Sequence, residues 1–466
     1  MSTIKIVPGG GCFLKKEEYR EIKFERADYM QRLKLLEESM ERENLDYCVI
    51  YGDREHFANL EYFCGYECRF EEALFVISKK GEYSIIAGNE GLGATDTIDL
   101  PIKAYLYQNF SLQGQPRKNM QPLFQILSQI GLQKGMRLGV VGYKYFNKED
   151  IDTDPLYTFD IPAYILDEFY KIFGRDDVVN ATQIVTGIPS GIRMALRTAK
   201  EIAWAEMQGN RVANVVISMF ENLTEDISEF ELTCSAGVGF EPQNIYPTCN
   251  FGYDHVRYGF RWPDSTKVKL GEPAHICYSL RGSASAKVAI GAYDYQSCDQ
   301  ALRPYVDSFY KKHYEAVCAW YETAGIGITG GELYDAVMKI IGSPEFNVIL
   351  YPGHYTGMDE WSNAGSYKGS NIPITDGTFM QADIISSNID PARVAICEDA
   401  VVFASKTLRD KLKAQYPETY ARIIRRQNLI RDAIGIHISD DLLPMSNLTS
   451  VYFPFMLNCD LFMCKE

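Results

Sequence analysis

The sequence has no surplus of positive charge. It sets 47 Lys and Arg against 62 Asp and Glu, for a formal net charge of −15. Nucleic acids and anionic membranes are recognised by basic surfaces, so neither is expected as a partner. Long hydrophobic runs are also missing: no stretch approaches the roughly 20 apolar residues that a membrane-spanning helix needs. The opening segment MSTIKIVPGGG carries no apolar signal core. Cysteine is present twelve times, but the pairs closest to a metal knuckle, Cys64/Cys68 and Cys459/Cys464, have no matching second pair. The cysteines therefore read as reduced thiols filling the core of a cytoplasmic protein. Histidine is scarce, with six in 466 residues, and one of them, His354, stands in the stretch GHYTGMDEW.

What is present is the composition of a globular protein, 46% hydrophobic and 23% charged. Met30, Leu33, Leu36 and Met40 recur at helical spacing and predict an amphipathic helix over 24–44. YCVIYG (47–52) and LGVVGY (138–143) read as buried strands, and ALFVISKKGEYSIIAG as a hairpin turning at Lys-Lys-Gly. Alternating helices and strands make the first part an α/β domain. A Pro/Gly-containing stretch at 186–197 then leads into a long helix, 198–222, which sets a boundary near 185–195 and domains of 1–190 and 191–466. Beyond it, helices at 303–324, 331–341 and 406–427 alternate with β-rich segments at 273–295, 376–387 and 393–404. That pattern predicts an α+β domain with a mainly antiparallel sheet. The apolar tail LLPMSNLTSVYFPFMLN is expected to pack on the body or on a partner subunit.

Six stretches, in order, resemble one family. ANLEYFCGY, RTAKEIAWAEMQGNRVANVV, LTEDISEFEL, GHYTGMDEW, DGTFMQADI and VAICEDAVVF are similar to successive motifs of the creatinase, prolidase and aminopeptidase-P branch of the pita-bread enzymes. The resemblance implies a creatinase-like N-terminal α/β domain and a pseudo-symmetric pita-bread domain with a curved sheet that carries the active site. It also implies a homodimer. The peptidases of this family hold two divalent metals with two Asp, one His and two Glu. Carried over, His354 is the imidazole ligand, Asp383 falls on the first Glu position and Glu398 on the second.

The two Asp are missing. The segment PAHICYSLRGSASAKVAIGAY, 273–293, contains no carboxylate. Cys277 or Tyr278 takes the first position, and the second falls near Ala286, Lys287 or Val288. One imidazole and two carboxylates cannot hold two adjacent metals. Lys287, pointing inward, would pair with Asp383 or Glu398 in place of a metal. The expectation is therefore no cofactor, the alternative being one divalent metal such as Mn or Zn on His354, Asp383 and Glu398.

Creatinase works in this fold without metal, which suggests roles for the remaining groups. His255, ahead of the 273–293 strand, is the catalytic acid–base candidate, since an imidazole titrates near neutral pH. His354, Asp383 and Glu398 would hold a cationic head, and Arg69 would clamp a substrate carboxylate. Cys277 is a further candidate as a thiol nucleophile. Three readings stay open. The first is a creatinase-like hydrolase cutting a C–N bond of a small amino-acid-like or guanidino substrate. The second is an Xaa-Pro aminopeptidase or dipeptidase with a single metal. The third is an inactive member that binds a ligand or protein partner.

Overall fold

The computed structural model describes residues 4–118, 120–239, 241–258, 261–389 and 392–466. The chain divides into two units. One is Lys23–Met194; the other joins Met1–Ile22 to Ala195–Glu466. The expected boundary at 190/191 thus lies at 194/195, and the first 22 residues belong with the second unit. The cause is a pairing between distant segments: β1 (Ile4–Val7) runs antiparallel to β16 (Phe462–Lys465).

In the first unit the helix expected over 24–44 spans Arg26–Arg42 and buries Leu33, Leu36 and Met40. Its sheet contains β2 (Tyr47–Gly52), β3 (Ala73–Ser78), β4 (Tyr83–Ala87), β5 (Ile102–Leu106), β6 (Leu138–Val141) and β7 (Val178–Asn180). The order is β5-β4-β3-β2-β6-β7. The β2–β3 and β3–β4 pairs are antiparallel, and the other three pairs are parallel.

The second unit is built on β8 (Thr248–Phe251), β9 (Pro273–Leu280), β10 (Ser283–Ile290), β11 (His354–Tyr355), β12 (Phe379–Gln381), β13 (Ile384–Ile389), β14 (Ala392–Phe403) and β15 (Leu442–Pro444). The order is β11-β12-β14-β10-β9-β8, with β13 and β15 also on β14. Every pair is antiparallel. The long helix spans Ala199–Asn222 and opens with a capping box: Thr198 Oγ1 accepts from Glu201 N, and the Glu201 carboxylate accepts from Thr198 N. The helix expected over 406–427 is two, Lys406–Gln415 and Pro417–Leu429. Pro417 has no N–H to continue the first and is suited to begin the second.

All residues of β9 and β10 are buried, so the hairpin is covered on both faces. Strand alternation sorts its side chains. Ile276, Ala289, Ala395 and Cys397 join the main core with Val212 and Val216 of the long helix. Cys277, Ala286, Val288 and Ile396 form a separate apolar cluster with Val256, from the helix Gly252–Tyr258. The tail packs on its own unit: Leu448, Val451, Tyr452, Phe453, Phe455 and Met456 are at most 2% exposed and belong to the main core.

Candidate metal and substrate site

The site is set by the register of three strands and by one turn. Cys277 of β9 pairs with Ala286 of β10, and Ala286 pairs with Glu398 of β14. The three therefore stand side by side on one face. His354 begins β11 and pairs with Gln381 of β12. Asp383 follows two residues later, where Gly353 N donates to its carbonyl. Gly353 has φ 90, and a Cβ there would lie 3.1 Å from both Gln381 O and Trp320 Nε1. Only glycine meets both demands at once.

His354 is fully buried. Its Nδ1 lies 3.2 Å from Tyr355 O, so that nitrogen carries a proton and Nε2 is turned toward the carboxylates. Around Nε2 stand Glu360 Oε1 at 3.1 Å, Glu398 Oε1 at 3.8 Å and Asp383 Oδ2 at 3.9 Å. Trp361 stacks on the imidazole, ring centroids 4.1 Å apart. Burial opposes charge on His354, but Glu360 first, then Glu398 and Asp383, raise its pKa well above the usual value. Burial, then Glu398, raises Asp383; burial first, with the charges of Glu360 and Asp399, outweighs His354 and lifts Glu398 to about 7. Asp383 Oδ1 and both amide atoms of Gln381 make no hydrogen bond among the described residues.

Sequence reasoning brought together His354, Asp383 and Glu398, and the structure joins them. It missed Glu360. That residue is in the quoted turn, but no periodicity shows a turn residue folding back onto a histidine six positions earlier. Two other expected groups have local partners of their own. Arg69 is in the other unit, with a positive φ of 58, lying over the Phe70 ring and 3.8 Å from Glu90. His255, in Gly252–Tyr258, has Nδ1 2.8 Å from Glu229 Oε1 and Nε2 3.8 Å from Asp264 Oδ2. It makes no contact with His354, Asp383 or Glu398 among the described residues.

Lys287 needs a correction. It does not pair with Asp383 or Glu398, because β10 turns it to the opposite face, where Nζ lies 2.5 Å from Asp399 Oδ2. Tyr278 also joins the main core, on that opposite face. Cys277 faces the site, but burial first, and then the charge of Glu398, push its thiol pKa well above the ordinary value. It is a neutral group there, not a thiolate nucleophile.

These side chains floor a cavity of about 290 Å³ whose walls include Ile245, Tyr246, Ala284, Leu350 and Trp361. No family model matches the chain, and no curated protein matches it by sequence. Solved structures do. A prolidase from Pyrococcus horikoshii OT3 shares 15% identity over 80% of this chain and 95% of its own, at a TM-score of 0.61. A prolidase from Thermococcus sibiricus shares 14% over 81% and 95%, at 0.62. An X-Pro aminopeptidase from Thermotoga maritima MSB8 shares 12% over 80% and 95%, at 0.60. The chain has the pita-bread fold. At these identities the likeness establishes the fold and leaves the activity to the site.

The expectation of a site without cofactor is corrected here. The fold is shared with prolidases and an X-Pro aminopeptidase, the peptidases whose resemblance implies metal. The structure also groups ligand atoms of His354, Glu360 and Glu398 within 4.8 Å of one another. The donor set fits one cation and not two. With a proton on Nδ1 held by a backbone carbonyl, Nε2 would become a ligand once its own proton is displaced, and Asp383 Oδ1 and Glu398 Oε1 make no hydrogen bond among the described residues. The positions that would supply bridging carboxylates hold the Cys277 thiol and the Ala286 methyl, both in an apolar cluster.

Proposed function

We propose that the protein is a hydrolase of the peptidase type, acting on a small dipeptide-like substrate with one divalent cation held by His354, Glu360 and Glu398, and with Asp383 beside them. The observation that carries this reading is the convergence of three carboxylates on the floor of a small cavity around one imidazole nitrogen of the buried His354. When bound, such a cation supplies Lewis-acid polarisation of a carbonyl and lowers the pKa of water.

The chain's own groups have separate tasks. Tyr355 O fixes the tautomer and direction of His354 by accepting from Nδ1. Trp361 keeps the ring in place from one side. Burial lifts Glu398 to about 7 in the metal-free site; a bound cation would favour its carboxylate form, so its task is to hold the cation. The apolar walls exclude water from the floor. The acid–base role expected of His255 is not used in this reading, because its imidazole is paired with Glu229 and lies near Asp264; Arg69, which belongs to the other unit, is given no role in it. The homodimer implied by the resemblance remains part of it and is checked by light scattering.

The test is a titration of chelator-treated protein with Mn²⁺ or Zn²⁺ by calorimetry, followed by a screen of dipeptides with and without chelator. One equivalent of cation is expected, with hydrolysis lost in chelator and in His354→Ala. Two equivalents per chain, or hydrolysis indifferent to chelator, would overturn the reading.

A further inference from the structure

A second cavity, of about 590 Å³, is lined entirely by residues of the unit Lys23–Met194. Its walls come from the end of the helix Arg26–Arg42, from β7, from the short helix Thr182–Thr186, and from Arg137, which leads into β6. The volume is that of an ordinary small-molecule site. Among the described residues, two guanidinium groups, Arg42 and Arg137, line it against one carboxylate, Glu43. In a chain of net charge −15, a cavity with a cationic excess runs against the charge of the whole molecule.

The bonding around Arg137 leaves its side chain available. The carboxylate beside it, Asp46, is engaged by other donors: Oδ2 accepts from the Arg137 backbone N–H at 2.9 Å, and Oδ1 accepts from Lys79 Nζ at 2.6 Å. The Arg137 guanidinium makes no hydrogen bond or ion pair among the described residues, and its Nε is buried. A buried donor without an acceptor is unfavourable, and a ligand oxygen would remove that cost. Arg42 Nη2 donates to Ser39 Oγ at 2.7 Å, and Ser39 Oγ donates to Leu35 O at 2.8 Å. These bonds steady the second guanidinium and leave its other N–H groups open. Glu43 is exposed and pairs with neither arginine among the described residues.

The rest of the wall is largely apolar. Leu45, Val179 and Ala181 are buried, and Ile184 is partly so. With Arg42, Arg137 and Glu43 all ionised, the three together carry one net positive charge, which suits a monoanion. A guanidinium offers a carboxylate two parallel N–H donors. We propose that this cavity is a second ligand site, for a small monocarboxylate with an apolar body, whose carboxylate is received by Arg137 and Arg42. The proposal does not rest on the hydrolase reading, since none of these residues lines the cavity beside His354.

The experiment is an NMR titration of the full chain in chelator, where no cation can receive a carboxylate, with hexanoate, acetate, hexanamide and hexyl phosphate. Hexanoate is expected to bind at least about tenfold more tightly than hexanamide, which has the same body and no charge. It should also bind more tightly than acetate, which lacks the apolar body, and than hexyl phosphate, whose second negative charge would meet Glu43. Arg137→Met keeps the stem and removes the fork, so it should abolish the preference for hexanoate over hexanamide without lowering the unfolding midpoint. Arg42→Gln, at an exposed position, should weaken hexanoate several-fold, and it decides the matter if Arg137→Met fails to fold. Hexanoate binding that is absent at millimolar concentration, or unchanged in either folded variant, would overturn the proposal. Tighter binding of hexyl phosphate or of acetate would overturn it as well.

Discussion

At the scale of single residues, Glu360 is the group on which the site turns. It is the closest carboxylate to His354 Nε2, at 3.1 Å. Burial raises its pKa, but the His354 charge lowers it further, so the net shift is down and the group is ionised. Glu360→Gln keeps the shape and removes the charge. We expect a loss of roughly 10–100-fold in Mn²⁺ affinity, the range seen when a supporting group at a metal site is removed, with an unchanged unfolding midpoint in chelator. A variant that binds Mn²⁺ like the parent would remove Glu360 from the ligand set. His354, Asp383 and Glu398 were legible in the sequence because their motifs follow one another in a known order. Glu360 was not, because its role depends on the path of a turn.

At the scale of elements, alternation along β10 and β14 decides which residues act. Lys287 and Asp399 sit one residue away from Ala286 and Glu398 in each strand, and so they face the opposite side of the sheet. There Lys287 Nζ also donates to Leu448 O, and Asp399 accepts from Ser285 Oγ and Ser450 N. The pair, 3% and 1% exposed, ties the central strands to the C-terminal segment. Removing one partner strands a buried charge, so Lys287→Met should cost about 3–5 kcal/mol in urea unfolding. The double variant Lys287→Met/Asp399→Leu should recover most of it. Equal losses in the single and double variants would show that the pair is not what holds these strands. The hairpin was legible as strand, but one position of uncertainty in register exchanges the two faces. That uncertainty is why Lys287 was expected in the site.

At the scale of the whole molecule, two buried histidines couple folding to acid. Burial lowers the pKa of His275 to about 4; burial, then the charge of Lys287, lowers that of His313 to about 3. Both imidazoles are therefore neutral in the folded chain near pH 5, whereas in the unfolded chain they protonate near the ordinary value of about 6.5. The unfolded state binds more protons below that pH, so stability falls as the pH drops from about 6.5 toward 4, by up to about 1.4 kcal/mol per pH unit for each histidine. Urea midpoints between pH 7.5 and 4.5 should show this slope, and His313→Asn should flatten it. A parent midpoint that does not move over that range would refute the assignment. No helix among the described residues is long and apolar enough to cross a membrane.

The sequence by itself determined the class of fold, the long capped helix, the antiparallel strands of the second unit and three of the four groups that meet at His354 Nε2. These follow from local signals: periodicity, a Thr198/Glu201 cap, glycines at a turn, and motifs in order. It also determined that no carboxylate stands in 273–293, the segment on which the resemblance would place the two Asp. Only the tertiary structure decided the rest. It placed the first 22 residues with the last ones through β1 and β16, turned Lys287 away from the cavity, brought Glu360 back onto His354, and kept His255 on Glu229. Each of these depends on contacts between distant segments or on which face of a strand a side chain takes. A sequence pattern records that a residue lies in a strand or a turn, but the partner it meets there is set by how the chain packs.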